Sequence, residues 1–197
     1  MRIVAISDLH GTFPVIPECD LLLIGGDICI DGYKGRWARH FPEVQHDWMV
    51  DTFFPWLDKQ PAKQVYMTWG NHDYVGQLNW DHDPRVVVDR LVEYEGLKIW
   101  MTPWSPTFMN WAWMQTETEL TETYSKIPEG IDILVSHCPP YGLGDSYLDL
   151  SNGSEMHVGS GALRVALMRI KPQIVFCGHI HGGYGRYALP LLADMIC

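Results

Sequence analysis

The chain has 197 residues, of which 47% are hydrophobic and 19% are charged. This length and composition are typical of a globular protein that buries one substantial core, and they exclude a largely disordered chain. We therefore expect a single domain over residues 1–197. The formal net charge is −10 and no basic stripe offsets it, which argues against a long nucleic acid as partner but is compatible with a small substrate.

The chain has no feature that predicts a membrane protein or a secreted one. No apolar run approaches the roughly 18 residues that a membrane span needs, and the first residues lack the apolar stretch of a signal peptide. The five cysteines are odd in number and widely spaced, which is not the pattern of a disulfide-stabilised secreted domain. We expect reduced thiols, a cytoplasmic location and no membrane partner.

Apolar runs alternate with helical patterns along most of the chain. Buried strands are predicted at residues 3–6, 21–24, 65–67, 131–135 and 174–176, and short strands at 86–88, 91–94 and 97–101. Residues 28–42 are predicted to form a loop over the site. Helices are predicted over residues 44–57, where Pro55 kinks or restarts the helix, and over 116–126 and 161–170. Strands separated by helices indicate a layered α/β domain, in which ligands bind at strand ends.

The last residues, 188–197, have room for only one short strand. A sheet that ends there presents an exposed edge, and exposed edges favour pairing with another chain. A homo-oligomer is therefore an expectation that the sequence leaves open.

Five short polar blocks carry most of the residues that suggest chemistry, and most of them directly follow a predicted strand. They are Asp8-Leu9-His10, Gly26-Asp27, Gly70-Asn71-His72-Asp73, Ser136-His137 and Gly178-His179-Ile180-His181. Aspartate and imidazole together suit divalent ions such as Mn²⁺, Fe²⁺ and Zn²⁺. Residues two apart at the end of an extended strand face the same side, so Asp8 and His10 can hold one ion. A single carboxylate such as Asp27 can contact two ions and hold them about 4 Å apart.

These blocks, in this order, resemble the signature of the calcineurin-like metallophosphoesterase superfamily, which reads D-x-H, G-D, G-N-H-D/E, H and G-H-x-H. Residues 102–113, 137–140 and 178–185 further resemble small metallophosphoesterase-domain proteins whose characterised members hydrolyse phosphodiesters. The resemblance implies an α/β fold in which two packed mixed β-sheets are flanked by helices, an α-β-β-α sandwich. It also implies two divalent metal ions, with Mn²⁺ or Fe²⁺ favoured and Zn²⁺, Ni²⁺ or Mg²⁺ as alternatives.

The resemblance assigns seven ligands to the two ions. The ligands of one ion are Asp8, His10, Asp27 and His181, and those of the other are Asp27, Asn71, His137 and His179. Asp27 bridges the ions, and a hydroxide between them attacks phosphorus. Cysteine ligands are not expected, because soft thiolates beside so many hard ligands would be unusual, although Cys138 and Cys177 could line the site.

The resemblance also implies how the leaving group departs. His72 contacts the phosphoryl oxygen and protonates the alkoxide, and Asp73 orients the His72 ring, so these two are the implied catalytic residues. Asn71 and His72 are the implied substrate contacts, and Trp104 is the aromatic candidate for the site wall. We expect Trp111 to pack in the core.

Several other polar residues match none of the blocks. Asp31, Asp81 and Asp145 lie in turn-like contexts where aspartate is expected for local backbone reasons, so they are not predicted as metal ligands. The histidines outside the blocks are His40, His46, His82 and His157, of which only His157 is a candidate for the substrate rim.

The leading hypothesis is a dinuclear metal-dependent phosphodiesterase for small substrates, with cyclic nucleotides among the candidates. The alternative is a phosphomonoesterase acting on phosphoprotein or small phosphate esters, because the same two-metal centre serves both reactions. A third hypothesis is a non-catalytic scaffold with this fold, but such members tend to lack ligands or the acid histidine.

Overall fold

A computed structural model describes residues 1–38, 40–78, 83–151, 153–189 and 193–197. The strands are, in chain order, β1 (Ile3–Ile6), β2 (Cys19–Gly25), β3 (Gly32–Tyr33), β4 (Arg36–Trp37), β5 (Ala62–Thr68), β6 (Arg90–Tyr94), β7 (Leu97–Thr102), β8 (Ser105–Pro106), β9 (Met114–Gln115), β10 (Ile133–Ser136), β11 (Ser146–Asp149), β12 (Ser154–His157), β13 (Ile174–Cys177), β14 (Arg186–Leu189) and β15 (Ala193–Ile196). The helices are α1 (Glu43–Trp48), a π-helical segment (Met49–Phe53), α2 (Phe54–Leu57), α3 (Glu117–Ser125) and α4 (Gly161–Ile170), with 3₁₀ turns at Tyr74–Leu78 and His181–Gly183.

Two sheets form the centre of the fold. The first has the strand order β1-β2-β5, and both of its pairings are parallel. The second has the order β14-β15-β13-β10-β7-β6 and is mixed, because β6 and β14 run antiparallel to their neighbours. The two predicted sheets are confirmed, with the difference that only the second is mixed.

The side chains of β2 alternate between two cores, as the two-residue period of a strand requires. Leu21 and Leu23 point into the core between the sheets, where they pack with residues of β7 and β10. Leu22 and Ile24 point to the opposite face, which α1, the π-helical segment and α2 cover. One helical layer therefore covers the outer face of the first sheet.

The second sheet is covered in the same way on its own outer face. Leu134 of β10 and Val175 of β13 pack there against Leu120 of α3 and Leu163 of α4. The layers are therefore helix, sheet, sheet and helix, and the predicted α-β-β-α sandwich is confirmed. Among helices in the described ranges, none combines the length and the hydropathy that crossing a bilayer requires.

The predicted helices are present, with local reasons for where they begin. Thr116 caps α3 in a reciprocal capping box with Glu119, which satisfies two backbone N–H groups at the helix start. Pro55 lies in the first turn of α2, where its missing N–H is harmless, so the helix restarts there.

Three short elements differ from the predictions. Val86 forms only an isolated bridge to Met67, and the loop over residues 28–42 contains the β3–β4 hairpin. The expectation of one strand at the end of the chain is wrong, because β14 and β15 pair antiparallel and β15 also lies beside β13. Each of these strands has four residues, which is too short for a hydrophobic period to be readable. Self-association stays a prediction.

Candidate metal centre

The polar blocks meet at one edge of the sandwich. The first three blocks follow β1, β2 and β5 of the parallel sheet, and the last two follow β10 and β13, which are also parallel to each other. The carboxyl ends of parallel strands lie at the same edge, so each sheet brings its own blocks together. The His137 Nδ1 atom lies 3.0 Å from the Gly25 carbonyl oxygen, and this contact joins the two sheets at that edge.

Asp8, His10 and His181 form the first group of candidate ligands, in which each offers an atom within 4.8 Å of the others. The Nε2 atoms of His10 and His181 are 3.3 Å apart, and His181 Nε2 is 3.5 Å from Asp8 Oδ1. The Asp8 carboxylate also accepts the backbone N–H of His179 at 2.9 and 3.1 Å. This bond ties the loop after β1 to the last block.

Asp27, His137 and His179 form the second group, again with ligand atoms within 4.8 Å of one another. His137 Nε2 lies 3.4 Å from Asp27 Oδ2 and 2.9 Å from Asn71 Oδ1, and the His137 and His179 ring centroids are 5.1 Å apart. All seven predicted ligands thus come together in two groups.

Asp27 lies between the groups. Its Oδ2 atom is 3.7 Å from His10 Nε2 of the first group and 3.4 Å from His137 Nε2 of the second. Its Oδ1 atom accepts the backbone N–H of His72 at 2.7 Å. Carboxylate oxygens and imidazole nitrogens in this arrangement fit two divalent cations that share one carboxylate.

The backbone is strained at four of the candidate ligands. The φ angles of Asp8, His10, Asp27 and His179 are +56°, +44°, +49° and +71°, in the left-handed region that L-residues rarely adopt. Each such residue costs on the order of 1–2 kcal/mol, so the surrounding structure must hold it there. Four of the ten described non-glycine residues with positive φ are thus candidate ligands, and backbone strain is part of how these side chains are positioned.

Burial and neighbouring charges determine the protonation of the ligand side chains. Burial, followed by repulsion from His137, lowers the pKa of His179 to about 3, so its ring is neutral and can donate a lone pair to a cation. Burial by itself raises the pKa of the Asp27 carboxyl, but His137 and His72 outweigh it and hold that pKa well below its usual value. Asp27 is therefore a carboxylate at neutral pH, as a metal ligand must be.

Two glycines make this close packing of ligands possible. A Cβ atom on Gly70 would lie 2.4 Å from Asp27 Oδ1 and 2.6 Å from His137 Cε1. A Cβ on Gly178 would lie 2.2 Å from Asp8 Oδ2. A side chain at either position would therefore displace a candidate ligand.

We expect Gly70→Ala to bind fewer than two ions per chain, because the new methyl group displaces Asp27 and His137. Overpacking of this kind typically costs about 1–3 kcal/mol of unfolding free energy. Metal analysis and denaturant unfolding would measure both effects. Gly161→Ala is the matched control, since its Cβ would meet only Glu117 Oε2 at 3.5 Å, an ordinary contact. Full metal content in Gly70→Ala would contradict the prediction.

His72 lies beside the ligands, but its partner is not the predicted one. Its Nδ1 atom is 2.8 Å from Asp31 Oδ1, and its ring lies 5.0 Å from the His10 ring and 4.8 Å from the Trp111 ring, centroid to centroid. With Nδ1–H donated to Asp31, Nε2 is the ring nitrogen left to interact with a substrate. Asp31 is in neither ligand group, as expected, but the sequence analysis did not foresee its contact with His72.

Asp73 has a different task from the one predicted. Its fully buried carboxylate accepts the backbone N–H groups of Gly70 at 2.8 Å, Cys29 at 2.8 Å and Ile28 at 3.2 Å. No contact with His72 is among these bonds, so Asp73 holds the loop after Asp27 against the loop that carries Asn71. The prediction that Asp73 orients His72 is wrong, because its carboxylate is already committed to buried donors that have no other partner.

A buried amide, which the sequence analysis missed, reinforces the same two loops. Gln45 of α1 has no exposed surface, and its Nε2 donates to the carbonyl oxygens of Ile30 at 2.9 Å and His72 at 2.7 Å. Its Oε1 accepts the N–H of Val75 at 3.0 Å. Gln45 therefore fixes the segment before Asp31 relative to His72, and no sequence signal marks it.

The structure reverses the predictions for Trp104 and Trp111. Trp104 donates its Nε1–H to Asp89 at 2.6 Å and packs edge-on against Trp113 at 5.1 Å, so its contacts lead into the core around α3 and α4 and not to the ligands. The choice of Trp104 as the site-wall aromatic is wrong, and so is the expectation that Trp111 is a core residue. The indole N–H of Trp104 needed a buried acceptor, which sequence spacing does not reveal.

The remaining candidates lie apart from the two ligand groups. Neither group contains a cysteine among the described residues, and burial raises the pKa of Cys138 and Cys177 above the ordinary value, so both remain thiols. Cys177 lines a cavity next to the ligands, as the sequence allowed. Asp81 and His82, which match none of the blocks, lie outside the described residues.

Residues 1–183 match the family model described as calcineurin-like phosphoesterase. The chain belongs to this family. Members of the calcineurin-like phosphoesterase family bind divalent metals, and the two ligand groups are candidate sites for them.

Curated relatives of the chain include members of this family that are longer than it. A UPF0046 protein of Caenorhabditis elegans is 37% identical over 94% of this chain, and the human metallophosphoesterase domain-containing protein 1 is 28% identical over 93%. A probable rhamnogalacturonate lyase C of Emericella nidulans is 31% identical over 94%. The chain spans 52%, 61% and 18% of the lengths of these three proteins.

A solved structure supports the fold independently. It superposes with a TM-score of 0.68 at 14% sequence identity, covering 99% of this chain and 89% of the other. At this identity the likeness is one of fold alone.

Proposed function

We propose that this protein is a phosphodiesterase that uses two divalent metal ions to hydrolyse small substrates. The observation that carries the proposal is the position of Asp27 Oδ2, within 3.7 Å of an imidazole of each ligand group. When bound, a metal pair supplies a water of lowered pKa and offsets the charge on the phosphoryl oxygens. The residues around the pair would orient the ester and transfer the proton that its leaving group needs.

His72 is the proposed proton donor to the leaving alkoxide. Asp31 accepts its Nδ1–H, so in the protonated ring the Nε2–H is the proton that passes to the leaving oxygen, and the ring is left neutral. The backbone N–H of His72 is bonded to Asp27, so the ring is held at a set distance from the shared ligand. Proton transfer by a positioned histidine typically contributes about 10²–10⁴-fold to the rate.

The charge around the first ligand group supports a diester over a monoester as the proposed substrate. A cavity of about 560 Å³ borders this group through Asp8 and His181, and the rest of its lining comes from the two sheets and the loops beside them. No lysine or arginine is among the described residues that line it. A monoester dianion carries one more charge than a diester anion, and guanidinium groups are the usual means of binding it. The cavity is also within the range of about 300–1,000 Å³ typical of small-molecule sites, which leaves room for a second ester group.

The test compares a diester and a monoester with the same leaving group. The protein is stripped with a chelator and reloaded with Mn²⁺, and hydrolysis of bis(p-nitrophenyl) phosphate and p-nitrophenyl phosphate is measured. We expect kcat/KM to be at least about tenfold higher for the diester, a difference of about 1.4 kcal/mol. Preference for the monoester would favour the phosphomonoesterase, and two bound ions without hydrolysis of either would favour the scaffold.

Other expectations about the biology remain open. The native metal, the cytoplasmic location, the absence of a long nucleic-acid or membrane partner and the possibility of a homo-oligomer stay predictions. Cyclic nucleotides stay a candidate substrate within the diester class.

A further inference from the structure

A second carboxylate–imidazole pair lies outside the ligand groups. Asp145 has no exposed surface, and it accepts the N–H groups of Gly142 at 2.9 Å and Gly159 at 3.0 Å and bonds His157 Nδ1 at 2.8 Å. The His157 side chain is nevertheless 45% exposed. A buried carboxylate thus fixes the orientation of an imidazole that solvent can reach, and Nε2 is the ring nitrogen left to interact.

This pair belongs to a hairpin that packs against the turn after His181. His157 of β12 lies opposite Ser146 of β11, and a Cβ on Gly182 would be 3.6 Å from the Ser146 carbonyl oxygen. A Cβ on Gly183 would be only 1.9 Å from the Gly144 carbonyl oxygen, so this backbone contact requires glycine. The base of the β11–β12 hairpin therefore packs directly on the residues that follow His181.

The Tyr141 ring completes the group, and this residue is close in sequence to the candidate ligand His137. Tyr141 is 50% exposed, and its ring meets the His157 ring edge-on at 5.5 Å. It lies four residues after His137, a separation of at most about 14 Å. Its backbone N–H donates to Ser160 at 2.9 Å and its carbonyl accepts from Arg164 Nη1 at 2.9 Å, so the backbone of Tyr141 is held against Ser160 and α4.

We infer that His157 and Tyr141 form a subsite that binds the part of the substrate beyond the reacting phosphate. The ligand class is a polar ring system, such as a nucleoside, in which a planar group lies on the Tyr141 ring and a hydroxyl or carbonyl bonds His157 Nε2. The inference rests on the proposed function, because it places this subsite beside the metal pair that would hold the phosphate. Asp145 is a positioning residue that acts through His157.

Binding of two probes tests the subsite without relying on turnover. Inorganic phosphate engages the metal pair alone, whereas thymidine 5′-phosphate adds the sugar and the base. Titration calorimetry on the Mn²⁺-loaded protein gives both dissociation constants. We expect His157→Ala to weaken thymidine 5′-phosphate by about tenfold, the order of one hydrogen bond, and inorganic phosphate by less than about twofold. Tyr141→Ala should weaken the nucleotide by about fivefold or more through lost stacking.

Two further variants separate binding from a purely structural role. His157→Asn keeps a donor for Asp145 but removes the outer nitrogen, so we expect it to bind the nucleotide as weakly as His157→Ala. His46→Ala is the matched control, since His46 is another exposed imidazole, 3.6 Å from Asp47, and it should leave both constants unchanged.

Three results would overturn the inference. These are wild-type affinity for the nucleotide in His157→Ala, full rescue by His157→Asn, and equal weakening of both probes. The proposed function fails on different evidence, namely absence of hydrolysis. A protein that hydrolyses nothing but loses nucleotide affinity selectively in His157→Ala would retain the subsite.

Discussion

Asp27→Ala is expected to lower kcat/KM for a phosphodiester by at least about a thousandfold, because the metal pair stabilises the transition state by several kcal/mol. Asp27 Oδ2 faces both ligand groups, so its removal weakens both sites at once, whereas loss of His181 or Asn71 affects one. The variant also leaves the N–H of His72 without its acceptor. We expect metal analysis after dialysis to find less than half of the wild-type content.

The matched control is Asp20→Ala, on the same strand β2. Asp20 forms a surface ion pair with Lys63 at 2.7 Å and also accepts the N–H of Arg2. Surface pairs of this kind contribute about 0–1 kcal/mol, so activity and metal content should stay near wild type. If Asp27→Ala retained two ions and wild-type turnover, the two-metal assignment would be wrong.

The second large expected effect distinguishes the role of Asp31 from that of Asp73. Asp31→Asn should lower kcat for a diester with a poor leaving group by about 10–100-fold, because an amide still accepts the Nδ1–H of His72 but no longer offsets the positive charge of the protonated ring that donates to the leaving group. The rate for a p-nitrophenyl ester should change little, since that leaving group departs without a proton. Asp31 is largely exposed, so folding stability should be unaffected.

Asp73→Asn should lower stability and leave the dependence of the rate on the leaving group unchanged, which is the opposite of what we expect for Asp31→Asn. Three buried N–H groups lose a charged acceptor, so we expect the free energy of unfolding to fall by about 2–4 kcal/mol. Folded enzyme that remains should keep the wild-type ratio between poor and good leaving groups. Measuring both variants by urea unfolding and with both classes of ester gives the comparison. A leaving-group effect in Asp73→Asn but not in Asp31→Asn would restore the role predicted from the sequence.

The strands, helices and ligands were readable from the sequence for identifiable reasons. The runs that became β1, β2, β10 and β13 are apolar because both faces of these strands are buried. Ligand side chains stand out against such runs, since ligand binding at strand ends is the usual reason for a polar block directly after a core strand. The capping box at Thr116 and the proline at position 55 are likewise local signals.

The contacts around the site could not be predicted from the sequence, because they depend on which loops lie next to each other in the fold. Asp31 and Asp73 are both aspartates close to a ligand in sequence, and only the path of the loop after β2 decides which one faces the His72 ring and which one faces buried N–H groups. The same holds for Trp104 and Trp111, which differ in the acceptor and the ring that lie nearby.

Residue types and their order in the five blocks were enough to recognise the family resemblance, and that resemblance implied the order of the layers and the seven residues that converge at the strand ends. The bond between Asp31 and His72, the link that Gln45 makes between the two loops and the bond between Asp145 and His157 became visible in the folded chain. Each of these is a hydrogen bond between distant segments. Its energy depends on distance and direction in space, and residue order does not encode either one.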